Sequence, residues 1–347
     1  MPLSDTNLPD LEHYHFRELH PRIFLGTASD RYAGWIGQVY SEERYRDSIT
    51  SRTKQIKGRS FREDVLPVES VEEYFTHFRV LEIDFTFYRF LLERAGEASQ
   101  NFHVLQRYRE RLKDGDGLFL KVPQAIFAQK LLVQGKYVPN EQYLDRDAFT
   151  RRFYEPAREI LGPHLRGFIF EQEYQRREER IPPADLARSL DSFFGGIPRD
   201  NRYHVELRTE SYLAPVVLDV LDKHGVGQVL SHWTWLPPLK KQFEKGGSRF
   251  TNAGGQSVLR LMTPRGMRYE DAYARAHPFD RIVEGMLQPS MVEETVQLMQ
   301  AGMARDVDVN VMVNNRAGGN APSIARRIAE IFLTAVNRGE KSPQSPL

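Results

Sequence analysis

Eight short apolar segments spread over 347 residues constrain this chain more than any other feature. They run Arg22 to Thr27, Arg79 to Asp84, Gly117 to Val122, Arg166 to Glu171, Tyr203 to Arg208, Gly225 to Ser231, Gln256 to Met262 and Val307 to Asn314, and amphipathic stretches follow most of them. The intervals are longer than hairpins permit and long enough for crossover helices, the signature of a parallel sheet. Prolines mark helix starts between them: Pro182-Pro183 precedes Ala184 to Phe194, and Ala321-Pro322 precedes Ser323 to Val336. Eight such units predict a single closed (β/α)8 barrel of the TIM type. An open doubly wound sheet is the competitor, but it uses fewer strands and a glycine-rich nucleotide turn after the first, and Gly26-Thr27-Ala28-Ser29 is not that turn.

The surplus length falls outside these units. Residues 1–20 read as an N-terminal leader lying outside the barrel, 21–338 as the barrel with an insertion at 42–70 after strand one, and 339–347 as a flexible tail. Between Arg44 and Arg62 stand seven basic residues and one acid, Asp47, which reads either as a solvated insertion or as a polyanion-binding flap beside the barrel mouth. The stretch His232 to Gly255, with Trp233, Trp235, Pro237-Pro238 and two Gly-Gly pairs, reads as a long loop after strand six, able to cover an active site.

Composition removes several function classes. Lys+Arg at 48 against Asp+Glu at 47 gives a net charge of +1, so wholesale binding to nucleic acid or to an acidic membrane has no basis, and any such binding needs a local patch. Zero cysteines exclude disulfides, iron-sulfur clusters, Cys zinc sites and a thiol nucleophile. No uncharged apolar run approaches the roughly 18 residues of a membrane span, and the polar start, Met1 to Arg22, does not resemble a signal peptide. A soluble, cytoplasmic protein with no membrane partner is the expectation.

Alternation along the strands selects the candidate chemistry. The helix-facing side of a barrel strand is apolar, so polar residues interleaved with apolar ones point inward, and those near the C-terminal end reach the functional mouth. This rule picks Glu82 and Asp84 in strand two, Lys121 in strand three, Glu171 in strand four and His204, Glu206 and Arg208 in strand five. It adds His232 at the exit of strand six, Arg260 in strand seven, and Asp308, Asn310, Met312 and Asn314 in strand eight. Two carboxylates about 5 Å apart repel by roughly 3 kcal/mol at an effective dielectric of 20, so the glutamates need Lys121, Arg208 and Arg260 beside them. A purely structural ionic network closing the barrel end is the bland alternative. Strand eight runs into Asn314, Asn315, Arg316, Gly318 and Gly319 ahead of a helix, either an anion cradle or a plain turn. Tyr32 and Trp35 after strand one read as stacking residues or as lid packing.

In order, these segments resemble the YecE-like family, domain of unknown function 72, from Ile23 to Ala329 apart from the basic insertion. The motifs that carry the resemblance are Gly26-Thr27 with Tyr32 and Trp35; Glu82 to Tyr88; Lys121-Val122-Pro123; Glu206-Leu207-Arg208; Arg260; and Asn314-Asn315 with Gly318, Gly319 and Ala321. The resemblance implies a TIM barrel and carries no established activity. Departures stand at Asp30 (usually Trp), Phe127-Ala128 (usually Thr-His), Glu171 (usually Gln), Ser211-Tyr212 (usually Ser-Trp) and Met262-Thr263 (usually His-Gly). Losing two histidines weakens any mechanism that uses them as bases or ligands.

Two functional readings follow. The first is an enzyme, a hydrolase or isomerase, acting on a small polar anionic substrate at the barrel mouth without an organic cofactor. Its catalytic candidates are Glu206, Glu82 and Lys121. Its substrate-binding candidates are Tyr32, Trp35, Asp84, Tyr88, Arg208, Arg260, Asn314, Asn315, Gly318 and Gly319. A divalent metal on Glu82, Glu171, Glu206 and His232 is its variant, with the three strand cations competing for the same acids. The second is a non-catalytic nucleotide or nucleic-acid binding module using Arg44 to Arg62 and the aromatic rim.

Overall fold

The computed structural model describes residues 10–133 and 136–340. Its strands are β1 (Ile23–Ala28), β2 (Thr50–Ile56), β3 (Arg59–Val65), β4 (Val80–Ile83), β5 (Gly117–Lys121), β6 (Lys130–Val133), β7 (Lys136–Pro139), β8 (Leu165–Glu171), β9 (Tyr203–Glu206), β10 (Gly227–His232), β11 (Gln256–Leu261) and β12 (Asp308–Val313). Eight of them, each one of the expected apolar segments, close a parallel barrel in the order β1-β12-β11-β10-β9-β8-β5-β4. The protein is thus a (β/α)8 barrel of the TIM type.

The strand alternation has the physical cause expected of it. Outward residues such as Leu25, Leu81, Phe170, Val205, Leu259 and Val311 merge with the helices into the main core. Inward, Phe24, Val80, Phe119, Ile169, Val229, Val258 and Met312 form a second apolar cluster that fills the barrel. Close approach here demands glycine: a Cβ on Gly26, which pairs with Val80, would lie 2.1 Å from the Val80 carbonyl oxygen. At the N-terminal end of the strands, the guanidinium groups of Arg79 and Arg166 lie 4.5 and 4.3 Å from the Phe24 ring centroid, and Arg166 pairs with Asp308 at 2.8 Å.

Two antiparallel hairpins, β2/β3 and β6/β7, decorate the barrel. The first is the basic insertion, and it docks through Ile56 and Phe61 onto the helix Tyr269–Ala276. The described part of the expected leader packs on the barrel: Phe16 and Leu19 are buried, and Arg17 Nη1 donates to Phe75 O and pairs with Asp116. Residues 1–9 of that leader and 341–347 of the expected tail lie outside the described residues. The stretch after β10 is not one loop. It contains the helix Leu239–Lys245, whose Gln242 side chain bonds both the N–H and the carbonyl of Ser231. Among the described residues, no helix is long and apolar enough to cross a membrane.

Candidate functional site at the barrel mouth

Above the apolar cluster the inward positions turn ionic. Arg260, fully buried, is the hub: its Nε and Nη2 donate to the two oxygens of Glu82 at 2.7 and 2.6 Å, and its Nη1 donates to Glu171 at 3.1 Å and to Glu206. Register places Glu171 beside Glu206, where repulsion is met by Arg208, 2.7 Å from Glu171 and 3.0 Å from Glu206. Lys121 Nζ lies 2.8 Å from Glu171 and 3.5 Å from Asp84, with the Phe87 ring centroid 3.9 Å away. Three cations thus serve four carboxylates, and the shortage divides the acids. Burial pushes the Glu82 carboxyl up and Asp84 adds to this, against the pull of Arg260. Burial also acts on Glu171, but Arg208, Lys121 and Arg260 together hold its carboxyl well below the usual range. Lys121 is held above the usual lysine value: burial works to lower it, and Glu171 and Asp84 more than compensate.

A cavity of about 710 Å³ opens over this floor. Glu82, Asp84, Lys121, Glu171 and Arg208 line its base, and Tyr32, Tyr88, Trp233, Asn314, Asn315 and Arg316 its walls. Arg52, Lys54 and Arg62 on the β2/β3 hairpin complete it. The hairpin is latched across the mouth by Tyr273 Oη donating to Glu63, by Lys57 on Glu270 at 3.3 Å and by His277 Nε2 beside Arg62 O.

The basic block is one-sided only in sequence. Arg44 pairs with Glu72, Arg46 with Glu42, Arg52 and Lys54 with Glu63, Lys57 with Glu270 and Arg62 with Asp64. Six of its seven cations therefore meet an acid, and all five acids lie outside Arg44 to Arg62, with Glu72 and Glu270 outside the 42–70 insertion as well.

Several site candidates are placed elsewhere than expected. Glu206 and Arg260 lie beneath the floor and do not line the cavity, so Glu206 touches Arg260 and Arg208 instead of the open space. Trp35 is no rim platform: it is fully buried, and its Nε1 donates to Asn315 Oδ1 at 3.0 Å. Gly318 and Gly319 form no open cradle. A Cβ on Gly319, at φ +112°, would lie 2.3 Å from Arg281 O, and Val283 N donates to Gly318 O. The amides at the following helix start are also taken, Ala321 N by Asn315 Oδ1 and Ser323 N by Asn320 Oδ1.

His232 does not join the acids. Its register partner Leu261 faces the outer core, its Nδ1 is 2.9 Å from Thr263 O, and burial lowers its pKa to about 4. The expected metal set does not fit a divalent ion, because guanidinium and ammonium groups take the carboxylate oxygens such an ion needs. Among the described residues, no group of three or more His, Asp and Glu could hold a metal ion.

Strand alternation could not find the loop residues. Asp30 is buried in the cavity wall, where Tyr108 Oη donates to both its oxygens at 3.0 and 3.1 Å and burial pushes its carboxyl up. Its one signal was the departure from tryptophan.

An eight-stranded parallel barrel with a charged concave site at the C-terminal strand ends defines a TIM-type barrel protein. Within that class, residues 51–346 match the model of the protein family of unknown function DUF72, and the chain belongs to that family. The match takes in most of the hairpin and leaves β1 outside. A DUF72 family protein of Enterococcus faecalis is similar in structure, with a TM-score of 0.51 at 16% identity over 90% of this chain and 95% of that one. A DUF72 family protein of Thermotoga maritima is similar too, at 0.50 and 16% identity over 91% and 99%. At that identity the likeness speaks to the fold. No curated protein matches the chain.

Proposed function

We propose that this protein is an enzyme of the hydrolase or isomerase type, binding a small polar anionic substrate in the mouth cavity and working by general acid–base catalysis. The observation that carries the reading is the division between Glu82 and Glu171, two carboxyls on one cavity floor driven in opposite directions. Such a pair sets a carboxyl biased toward its protonated form beside a fixed negative charge in one site. In this reading Glu82 is the acid and Lys121, charged and facing the cavity, stabilises negative charge that develops on the substrate. Asp84, Tyr32, Tyr88 and Arg208 position it, and Glu206 and Arg260 hold the floor in place.

The test is turnover of a panel of phosphorylated and other anionic sugars and nucleotide fragments. Glu82→Gln and Lys121→Met are expected to lower kcat about 100-fold or more while circular dichroism stays that of the parent. Parental rates in both variants would overturn the assignment. The nucleic-acid reading has less support, since the cations of Arg44 to Arg62 are largely paired with acids.

A further inference from the structure

The exit of β12 presents buried N–H donors that no acceptor among the described residues meets. Asn314 and Asn315 are 1% and 2% exposed, and both line the cavity together with Arg316. What each amide offers the cavity is dictated by what its oxygen receives. Asn314 Oδ1 accepts Arg316 N at 3.0 Å, and Asn315 Oδ1 accepts Trp35 Nε1 at 3.0 Å and Ala321 N at 2.8 Å. Turning either amide over would set N–H against N–H, so each Nδ2 is held as a donor. Among the described residues neither Nδ2 has a hydrogen-bond partner, and the buried Nε of Arg316 has none either. The guanidinium of Arg316 packs 4.4 Å from the Tyr269 ring centroid. In contrast to the floor cations, it has no ion pair among the described residues.

Buried polar groups in folded proteins are almost always satisfied, and three unsatisfied donors on consecutive residues that line one cavity mark a place for an acceptor supplied from outside. The backbone amides of Arg316, Ala317, Gly318, Gly319, Ala321 and Ser323 are already used within the protein, so side chains, not a glycine cradle, form the site.

We propose that Asn314, Asn315 and Arg316 form the subsite for the anionic group of the ligand, and that this group is a tetrahedral oxyanion of the phosphate type. A tetrahedral oxyanion gives each of three separate donors an oxygen of its own, whereas a carboxylate must share two oxygens among them. This inference rests on the reading that the mouth cavity takes an anionic ligand. It orients that ligand, with the oxyanion beside β12 and the remainder facing Lys121 and Glu82.

The experiment is isothermal titration calorimetry of the full chain with inorganic phosphate, and with sulfate and acetate as comparators. Asn314→Asp keeps the oxygen that caps Arg316 N and exchanges the free amide nitrogen for a charged oxygen. Arg316→Met keeps a chain to pack on Tyr269 and removes the cation. Phosphate and sulfate are expected to bind the parent, acetate at least tenfold more weakly, and phosphate affinity is expected to fall at least tenfold in each variant with an unchanged circular dichroism spectrum. No phosphate binding by the parent, equal binding by both variants, or acetate binding as tight as phosphate would overturn the proposal. So would loss of binding in Arg52→Ala/Arg62→Ala but not in Asn314→Asp. Because the readout is binding, the two readings fail separately. Phosphate affinity that depends on Asn314 upholds the subsite even where Glu82→Gln changes no rate, and turnover that depends on Glu82 in a protein blind to phosphate removes the subsite alone.

Discussion

Replacing Arg260 with methionine removes the cation that touches Glu82, Glu171 and Glu206 together. Four charge-assisted hydrogen bonds are lost, two to Glu82 and one each to Glu171 and Glu206. Among the described residues Glu82 is left with no ion-pair partner, since Lys121 and Arg208 pair with Glu171, Asp84 and Glu206. Breaking a buried pair from one side costs roughly 3–5 kcal/mol, and serving three carboxylates puts Arg260 at the upper end, about 4–5 kcal/mol at pH 8. The melting midpoint should drop on the order of 10 °C. The deficit also depends on pH in a definite direction. Without Arg260, burial and Asp84 raise the folded-state pKa of Glu82 against the weaker pull of Lys121, so the folded variant holds a proton more tightly than its unfolded chain does. Stability from such a group is complete below the unfolded value of about 4.3 and is lost as pH rises through the folded one. Urea unfolding followed by circular dichroism should therefore give a smaller deficit at pH 5 than at pH 8. A loss below about 1 kcal/mol, or equal losses at both pH values, would refute the view that Arg260 neutralises these acids.

Further outcomes follow from the same geometry. Glu171→Gln strips the shared partner of Lys121, Arg208 and Arg260 and should cost about 3–4 kcal/mol at pH 7, whereas Glu82→Gln, which mimics the protonated carboxyl, should cost clearly less in the same urea titration. The parent's Glu171, with its depressed pKa, contributes stability above the unfolded value of about 4.3 that is lost as pH falls below it, so an acid titration of Glu171→Gln should be flatter than the parent's. Gly26→Ala forces a Cβ against the Val80 carbonyl and should cost about 3 kcal/mol or more, read as a lost soluble fraction or a lowered urea midpoint. Heparin or single-stranded DNA should bind weakly at about 0.15 M salt, with little change in Arg52→Ala/Lys54→Ala/Lys57→Ala; tight binding abolished by that triple change would restore the polyanion reading.

The barrel was legible because a strand buried on both faces must declare itself. Outward positions had to be apolar, so an inward Glu82, Lys121, Glu171, Glu206, Arg208 or Arg260 stood out against Leu81, Ile83, Val205 or Leu259, and the fold brings these six together. Depth was not legible: alternation assigns a face, not a level, so it could not tell Glu171 at the cavity from Glu206 beneath it. At strand ends the rule loses its hold, and His232 shares its register level with Leu261 on the outer face. Loop residues were harder still. Trp35 is buried by an acceptor 280 positions away, the basic block is offset by Glu270 from the far side of the mouth, and Tyr108 reaches Asp30 from a separate helix. None of these long-range pairings leaves a mark in local pattern.

The central claim is that the cavity above the glutamate floor is where a ligand binds, with Lys121 facing it. Its most direct measurement is thermal unfolding of the parent and of Lys121→Met against a panel of phosphorylated sugars and nucleotide fragments. A ligand at a hundred times its Kd stabilises its protein by about 2.7 kcal/mol. At least one compound is expected to raise the parent's midpoint and leave that of Lys121→Met unmoved; compounds that shift both proteins equally would place the ligand elsewhere and contradict the claim.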